Sequence, residues 1–261
     1  TAPASGEAET GRRLGPRPYD GPVPAGVDPS AIGDPLPPAI LGDLRIVSLS
    51  PAMSRIAVDL GLEPVIVGRS RFCTFLDPDL PVAGDLIRID AERLVALRPT
   101  HLLRQPPSSD DSDALQRLAD EQAWSRPILA RLERIDDVRS FVRGLPRRLA
   151  EAGTPLEQAL LARASAIDVA MGRLLASSVA APGDGAATAD DGDDGDDAGD
   201  AVLLVTGISP ATVFGRRTYL ADLLAARGAR NAFSGMGWRT LSGEDLLRLD
   251  PEAIVLVTDD P

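Results

Sequence analysis

"DAERLVALRPTHLL", residues 90–103, reads as a short capped helix that runs through Pro99 into an apolar strand. The layout returns near the other end of the chain as "SGEDLLRLDPEAIVLV", residues 242–257. Each copy has a capping residue (Asp90, Ser242), an acid at the second helical position (Glu92, Glu244), leucines, a proline that stops the helix, and an apolar run. A second pair matches as well. "RIVSLSPA" (45–52) and "LLVTGISPA" (203–211) are both short apolar strands ending in Ser-Pro-Ala. Two signatures recurring in the same order predict two similar lobes.

A chain of 261 residues can bury one large core or two modest ones, and the repeat favours two. From Arg45 onward apolar strands alternate with amphipathic segments, the pattern of α/β units around a parallel sheet. Residues 154–178 differ, because they read as one long helix. Thr154 and Glu157 form a capping box with Pro155 at the first helical position, and Leu160, Ala164, Ile167, Met171 and Leu174 fall on one face. About 24 helical residues span ~36 Å, enough to cross from one lobe to another. The alternative is a core helix of a single domain.

The expected division is a flexible Pro/Gly-rich tether at 1–40, which holds nine Pro and six Gly, and an N-terminal α/β lobe at 41–150. A bridging helix at 151–183, an acidic disordered loop at 184–200 and a C-terminal α/β lobe at 201–261 follow. In the second lobe, Trp238 is expected in a loop between two helices. The acidic stretch carries eight aspartates and no basic residue; without it the formal charge of −12 falls to −4. Its spacing does not match an EF-hand loop, so a solvated loop is expected.

Composition removes several classes of function. No basic face of the kind nucleic-acid binding needs is visible. All 27 basic residues are arginine, which excludes a Schiff-base lysine and a phosphate-loop lysine. The single cysteine, Cys73, cannot form an intrachain disulfide, and no apolar run approaches the roughly 20 residues that span a bilayer. Cys73 reads as a small buried thiol and His101 as a strand-end residue. No Cys-His or Ser-His pairing signal is present, and no catalytic residue or catalytic cofactor is assigned.

Open α/β sheets bind ligands at their strand-to-helix turns. In the first lobe these turns offer Ser50, Pro51, Arg69, Arg71, Phe72, Cys73, Phe75 and Arg104; in the second, Ser209, Phe214, Arg216, Arg217 and Trp238. Four of the chain's nine aromatics are Phe72, Phe75, Phe214 and Trp238. Aromatics among polar partners suit a flat, partly apolar ligand clasped between lobes. For each of them a hydrophobic plug under a loop is the alternative. Glu92 and Glu244 are favoured locally by the helix macrodipole, or serve as a matched pair that docks a symmetric partner through arginines.

Taken in order, "RIVSLSPAMSRIAVDLGLEPVIVG", "DAERLVALRP", "GISPATVFG" and "GWRTLSGEDLLRLDPEAIVLV" resemble the substrate-binding proteins of ABC importers for metal chelates. That family handles cobalamin, ferric siderophores and haem, and its cobalamin-binding branch is the nearest. The resemblance runs from Arg45 to Pro261. It implies two Rossmann-like lobes joined by a single long helix, with the ligand in a cleft between them. It further implies a monomeric, non-enzymatic binding protein in the periplasm or at the extracytoplasmic membrane surface. Its partner would be a dimeric ABC permease with ATPase subunits.

By the same resemblance Glu92 and Glu244 pair with permease arginines, and Ser50, Arg71, Phe72, Phe75, Arg104, Phe214 and Trp238 are the candidate ligand contacts. An enzyme or metallocluster-handling protein on a similar two-lobed plan is the alternative of another class. "RPTHLLRQ" departs from the family by placing Thr100 and His101 where Asp and an aliphatic residue are common. Together with Arg69, Arg71, Arg104, Arg216, Arg217 and Arg239 it points to a more anionic ligand, a carboxylate-bearing siderophore or haem. Pro261 is a candidate truncation point, and a signal segment or lipid anchor upstream of Thr1 is an expectation of the same resemblance.

Overall fold

The computed structural model describes residues 32–106, 112–122, 124–125, 127–176, 201–207 and 211–257. The first lobe contains α1 (Pro38–Leu41), β1 (Ile46–Ser48), α2 (Pro51–Asp59), β2 (Ile66–Ser70), β3 (Val82–Gly84), α3 (Ala91–Leu97), β4 (His101–Arg104), α4 (Ser112–Glu121), β5 (Ile128–Leu129), α5 (Ile135–Gly144) and α6 (Pro146–Leu149). Helix α7 (Pro155–Ala176) comes next. The second lobe contains β6 (Ala201–Thr206), β7 (Ala211–Phe214), α8 (Tyr219–Ala226), β8 (Arg230–Asn231), β9 (Trp238–Leu241), α9 (Gly243–Leu249) and β10 (Ala253–Leu256).

The first sheet is wholly parallel, in the order β3-β2-β1-β4-β5. A strand turns successive side chains to opposite faces, so Ile46 and Leu103 enter one core while Val47 and Leu102 enter another. Met53, Ile56 and Ala57 of α2, Phe141 and Val142 of α5, and Leu160 and Ala164 of α7 close the first face. Leu94 of α3 and Leu115 of α4 close the second. Coverage on both faces is why these strands are apolar without alternation.

In the second lobe β6 is central, with β10 parallel on one side and β8 parallel on the other. An antiparallel pair is added, β7 on β6 and β9 on β7. The core is small: Leu203, Val205, Ala211 and Val213 are buried, with Phe233, Leu241, Leu246 and Leu249 packed against them. All four residues of β10 are exposed.

The opening repeat is structural. Asp90 caps α3 by accepting from Arg93 N–H at 2.9 Å, and Ser242 caps α9 by accepting from Asp245 N–H at 3.2 Å. Both helices have seven residues and both end in a left-handed residue before the proline, Arg98 at φ 45° and Asp250 at φ 40°. Each then leads into a strand parallel to its lobe's first strand, β4 on β1 and β10 on β6. The Ser-Pro-Ala repeat is not structural in the same way. Ser50 caps α2 at Pro51, whereas Ala211 opens β7. The neighbouring residues decide: Met53, Ile56 and Ala57 repeat at helical spacing, while "ATVF" offers β-branched and aromatic residues that favour a strand.

Helix α7 has 22 residues, about 33 Å of rise. Leu160 and Ala164 are buried, Ile167 packs against the first core, and Leu174 is half exposed, so burial fades as the helix leaves the first lobe and reaches α8. Thr154 accepts from Glu157 N–H at 3.2 Å, but the Glu157 carboxylate takes the N–H of Gly153, at 2.6 Å, instead of Thr154's own.

Two sequence expectations need adjusting. Residues 33–40, assigned to a tether, pack onto the first lobe: Leu36 joins its core, and Gly33 and Leu36 donate to Asp59 and Gly61 carbonyls. Apolar burial and these backbone bonds outweigh the turn-forming composition. Trp238, expected in a loop, begins β9 and pairs with Phe214. The acidic stretch 184–200, the tail of the expected bridging segment at 177–183, and Ser209 lie outside the described residues.

Candidate functional site: a cleft between the lobes

The C-terminal ends of the parallel strands converge on a cavity of about 530 Å³. Thr206 reaches it from β6, Val257 from the end of β10 and Gln105 from the end of β4, so both lobes contribute. This is where an open α/β sheet leaves room for a ligand.

The second lobe supplies the aromatic wall. Phe214 and Trp238 are directly opposed across β7 and β9 and meet edge to face, 4.7 Å between ring centres at 63°. Phe214 is buried and Trp238 is 65% exposed, so the inner ring supports an outer one that faces the cavity. Behind them Gly215 donates to the Gly237 carbonyl at 2.8 Å, and a side chain on Gly215 would run into the Gly235 carbonyl. Thr218 caps α8 by accepting from Ala221 N–H and donates to the Gly215 carbonyl, which aims Tyr219 and Leu220 of the first turn at the cavity. Burial pushes the Tyr219 phenol above its ordinary range.

The first lobe closes the other side with Gln105 and with Leu132 and Glu133 from the loop before α5. Gln105 Nε2 donates to Ser50 Oγ at 2.6 Å, and Ser50 is fully buried. Ser50 therefore positions Gln105 without lining the cavity. Beside Glu133, Arg134 binds both carboxylate oxygens of Asp222 on α8, which ties the lobes together at the cavity's edge.

The other candidates fall elsewhere. Arg104 is buried and donates to the Leu86 carbonyl at 3.1 Å. Alternation along β4 turns Arg104 away and its successor Gln105 inward, a signal that the strand pattern itself carries. Arg71 pairs with Asp85 at 2.8 Å and lies over the Phe72 ring; the N–H groups of Arg88 and Ile87, with Arg71, hold the Asp85 carboxyl below its usual range. Phe72 and Phe75 are exposed beyond β2 and do not line the cavity. Cys73 is buried against Ser54 Oγ at 3.1 Å, and His101 opens β4 beside Thr100. Tyr219, Leu132 and Glu133 were not anticipated; no local motif marks them.

Glu92 and Glu244 stand in the first turns of α3 and α9. Each helix runs back toward the start of a parallel strand, so each begins on the cleft side of its lobe. Both acids are exposed. Arg248 approaches Glu244 at 3.7 Å within its own helix. Among the described residues no three His, Cys, Asp or Glu gather where they could hold a metal ion.

No family model and no curated protein matches the chain. Solved structures do. The periplasmic vitamin B12 binding protein BtuF of Vibrio cholerae superposes with a TM-score of 0.60 at 16% identity, over 81% of this chain and 75% of that one. The chain has the fold of the periplasmic chelate-binding proteins. A periplasmic heme binding protein from Pseudomonas aeruginosa gives a TM-score of 0.62 at 24% identity, over 83% of this chain and 72% of its own. The heme-binding protein RhuT from Roseiflexus gives 0.61 at 22%, over 82% and 76%. The likeness is one of fold, at 16–24% identity over about four-fifths of this chain.

Proposed function

We propose that the protein is an extracytoplasmic substrate-binding protein that captures a metal chelate, cobalamin foremost, in the inter-lobe cleft and hands it to a dimeric ABC permease. The observation that carries the proposal is the aromatic wall of Phe214 and Trp238 facing Gln105 across a cavity of about 530 Å³. Flat, partly apolar ligands are held by such walls, with a few polar groups fixing orientation. The protein binds and releases its ligand without transforming it. Glu92 and Glu244, exposed at the start of two equivalent helices on the cleft side, are the permease contacts in this reading, each offering a carboxylate to an arginine.

A ferric siderophore or haem is the second reading, and the likeness to heme binding proteins supports it. Incubating the folded protein separately with cobalamin, haemin and a ferric siderophore, then desalting and recording absorbance, tests both. Stoichiometric retention of one chromophore supports the binding role and selects the ligand. Retention of none removes the chelate assignment.

A further inference from the structure

The arginines near the cleft in sequence do not form its wall. Arg71 is committed to Asp85, Arg69 donates to the Pro78 carbonyl at 2.9 Å, and Arg216 donates to the Ser234 carbonyl at 2.7 Å. Arg104 is buried on the far side of its strand from Gln105, and Arg239 comes after Trp238 on β9 and so points to the opposite face. Among the described residues the only charged side chain on the cavity wall is Glu133. The polar groups with it are the Gln105 amide, the hydroxyls of Thr206 and Thr218, and the Tyr219 phenol.

The hydrogen bonds already made narrow this set further. Gln105 spends one amide N–H on Ser50, which leaves its second N–H and its carbonyl oxygen for a ligand. The Thr218 hydroxyl both donates to Gly215 and accepts from Ala221. Among the described residues the wall therefore carries a negative charge and no positive one.

We infer that the cleft selects chelates by charge: it takes a macrocycle with an uncharged, amide-bearing or cationic periphery and discriminates against one bearing carboxylates, with Glu133 as the specificity-determining residue. The inference rests on the binding role proposed above and reverses the ligand preference that the arginines suggest in sequence. A carboxylate on the ligand rim would face Glu133 with no cation on the described wall to offset it, because the neighbouring Arg134 is committed to Asp222. An amide in the same place would donate to Glu133 or to the Gln105 carbonyl.

The test compares cyanocobalamin with its monocarboxylates, in which one peripheral amide has become a carboxylate, by absorbance titration of the wild type, Glu133→Gln and Glu133→Arg. One like-charge contact at a water-exposed rim, weakened to its strength in bulk water, predicts a monocarboxylate bound about five-fold more weakly by the wild type. The gap is expected to close in Glu133→Gln and to invert in Glu133→Arg. Equal or tighter binding of the monocarboxylates by the wild type, or a gap that survives both substitutions, overturns the charge selection while leaving the binding role intact. If neither corrinoid binds but haemin does, with its two carboxylates, the charge selection fails and the chelate-binding role stands. If none of them binds, both readings fail together.

Discussion

Arg134 and Asp222 fasten one lobe to the other. Arg134, at the start of α5, places Nε 2.9 and 2.7 Å from the two Asp222 oxygens and a terminal nitrogen 2.6 Å from one of them, while Ile135 N–H adds a bond at 3.0 Å. Helix α5 is in turn bound to α7, through Arg139 to Asp168 at 2.7 Å and Arg143 to the same carboxylate at 3.4 Å. One short helix thus links the first lobe, the bridge and the second lobe.

Removing that link is expected to cost stability. Arg134 is about half exposed and its ion pair is partly screened, so the loss in Asp222→Ala comes mainly from the charge-assisted bonds and is about 1–2 kcal/mol. Urea unfolding reads it as a lower midpoint, and amide exchange in α8 should accelerate. An unchanged midpoint together with unchanged exchange would show that the lobes are held by other contacts.

Charge reversal at Glu92 and Glu244 addresses the docking role. Both side chains are exposed and neither lines the cavity, so the double variant Glu92→Arg, Glu244→Arg is expected to retain chelate affinity. It should lose stimulation of the permease ATPase. Stimulation that survives the reversal would reassign both acids to the helix macrodipole alone.

The two left-handed helix ends make a stability prediction. Arg98 and Asp250 hold a conformation that costs side-chain-bearing residues energy and that glycine adopts freely. Both are exposed, so Arg98→Gly and Asp250→Gly should each stabilise the fold by about 0.5–1 kcal/mol. Destabilisation by either one would mean that its side chain contributes more than the backbone strain costs.

The chain has one histidine, so a single imidazole resonance reports on it. Burial pushes His101 below the ordinary histidine value of about 6.5, partly offset by its bond to the Arg148 backbone. The unfolded chain then binds the proton more readily than the folded one. Stability from this group is complete above pH ~6.5 and declines as pH falls from there toward the folded value. NMR titration should find the midpoint below 6.5. A midpoint above 6.5 would reverse the sign of the pH dependence.

Much of this fold could be read from the chain because the repeated helix, proline and strand encode their own geometry: a cap, an amphipathic turn and a stop. The long α7 was equally legible from its capping residues and the spacing of Leu160, Ala164 and Ile167. Ser-Pro-Ala was misleading because a tripeptide does not set the conformation of the residues after it, and β7 is set by "ATVF" instead. Phe214 and Trp238 were among the candidates and both line the cavity, but their pairing depends on the register of two antiparallel strands. Gln105 was hidden behind the more conspicuous Arg104, although strand alternation separates them. The bond between Arg134 and Asp222 joins residues 88 positions apart on two different lobes, and no local pattern announces it.

The most direct test of the inter-lobe cleft uses its own tryptophan. Trp124 packs in the first lobe, so Trp124→Phe leaves Trp238 as the sole indole. Cyanocobalamin, haemin or a ferric siderophore bound in the cleft should quench Trp238 emission steeply, with saturation at one chelate per chain, and the same quenching should be absent in a control carrying Trp238→Phe alone. A chelate that binds at one per chain and leaves Trp238 emission unchanged would place the ligand outside the cleft and contradict the assignment.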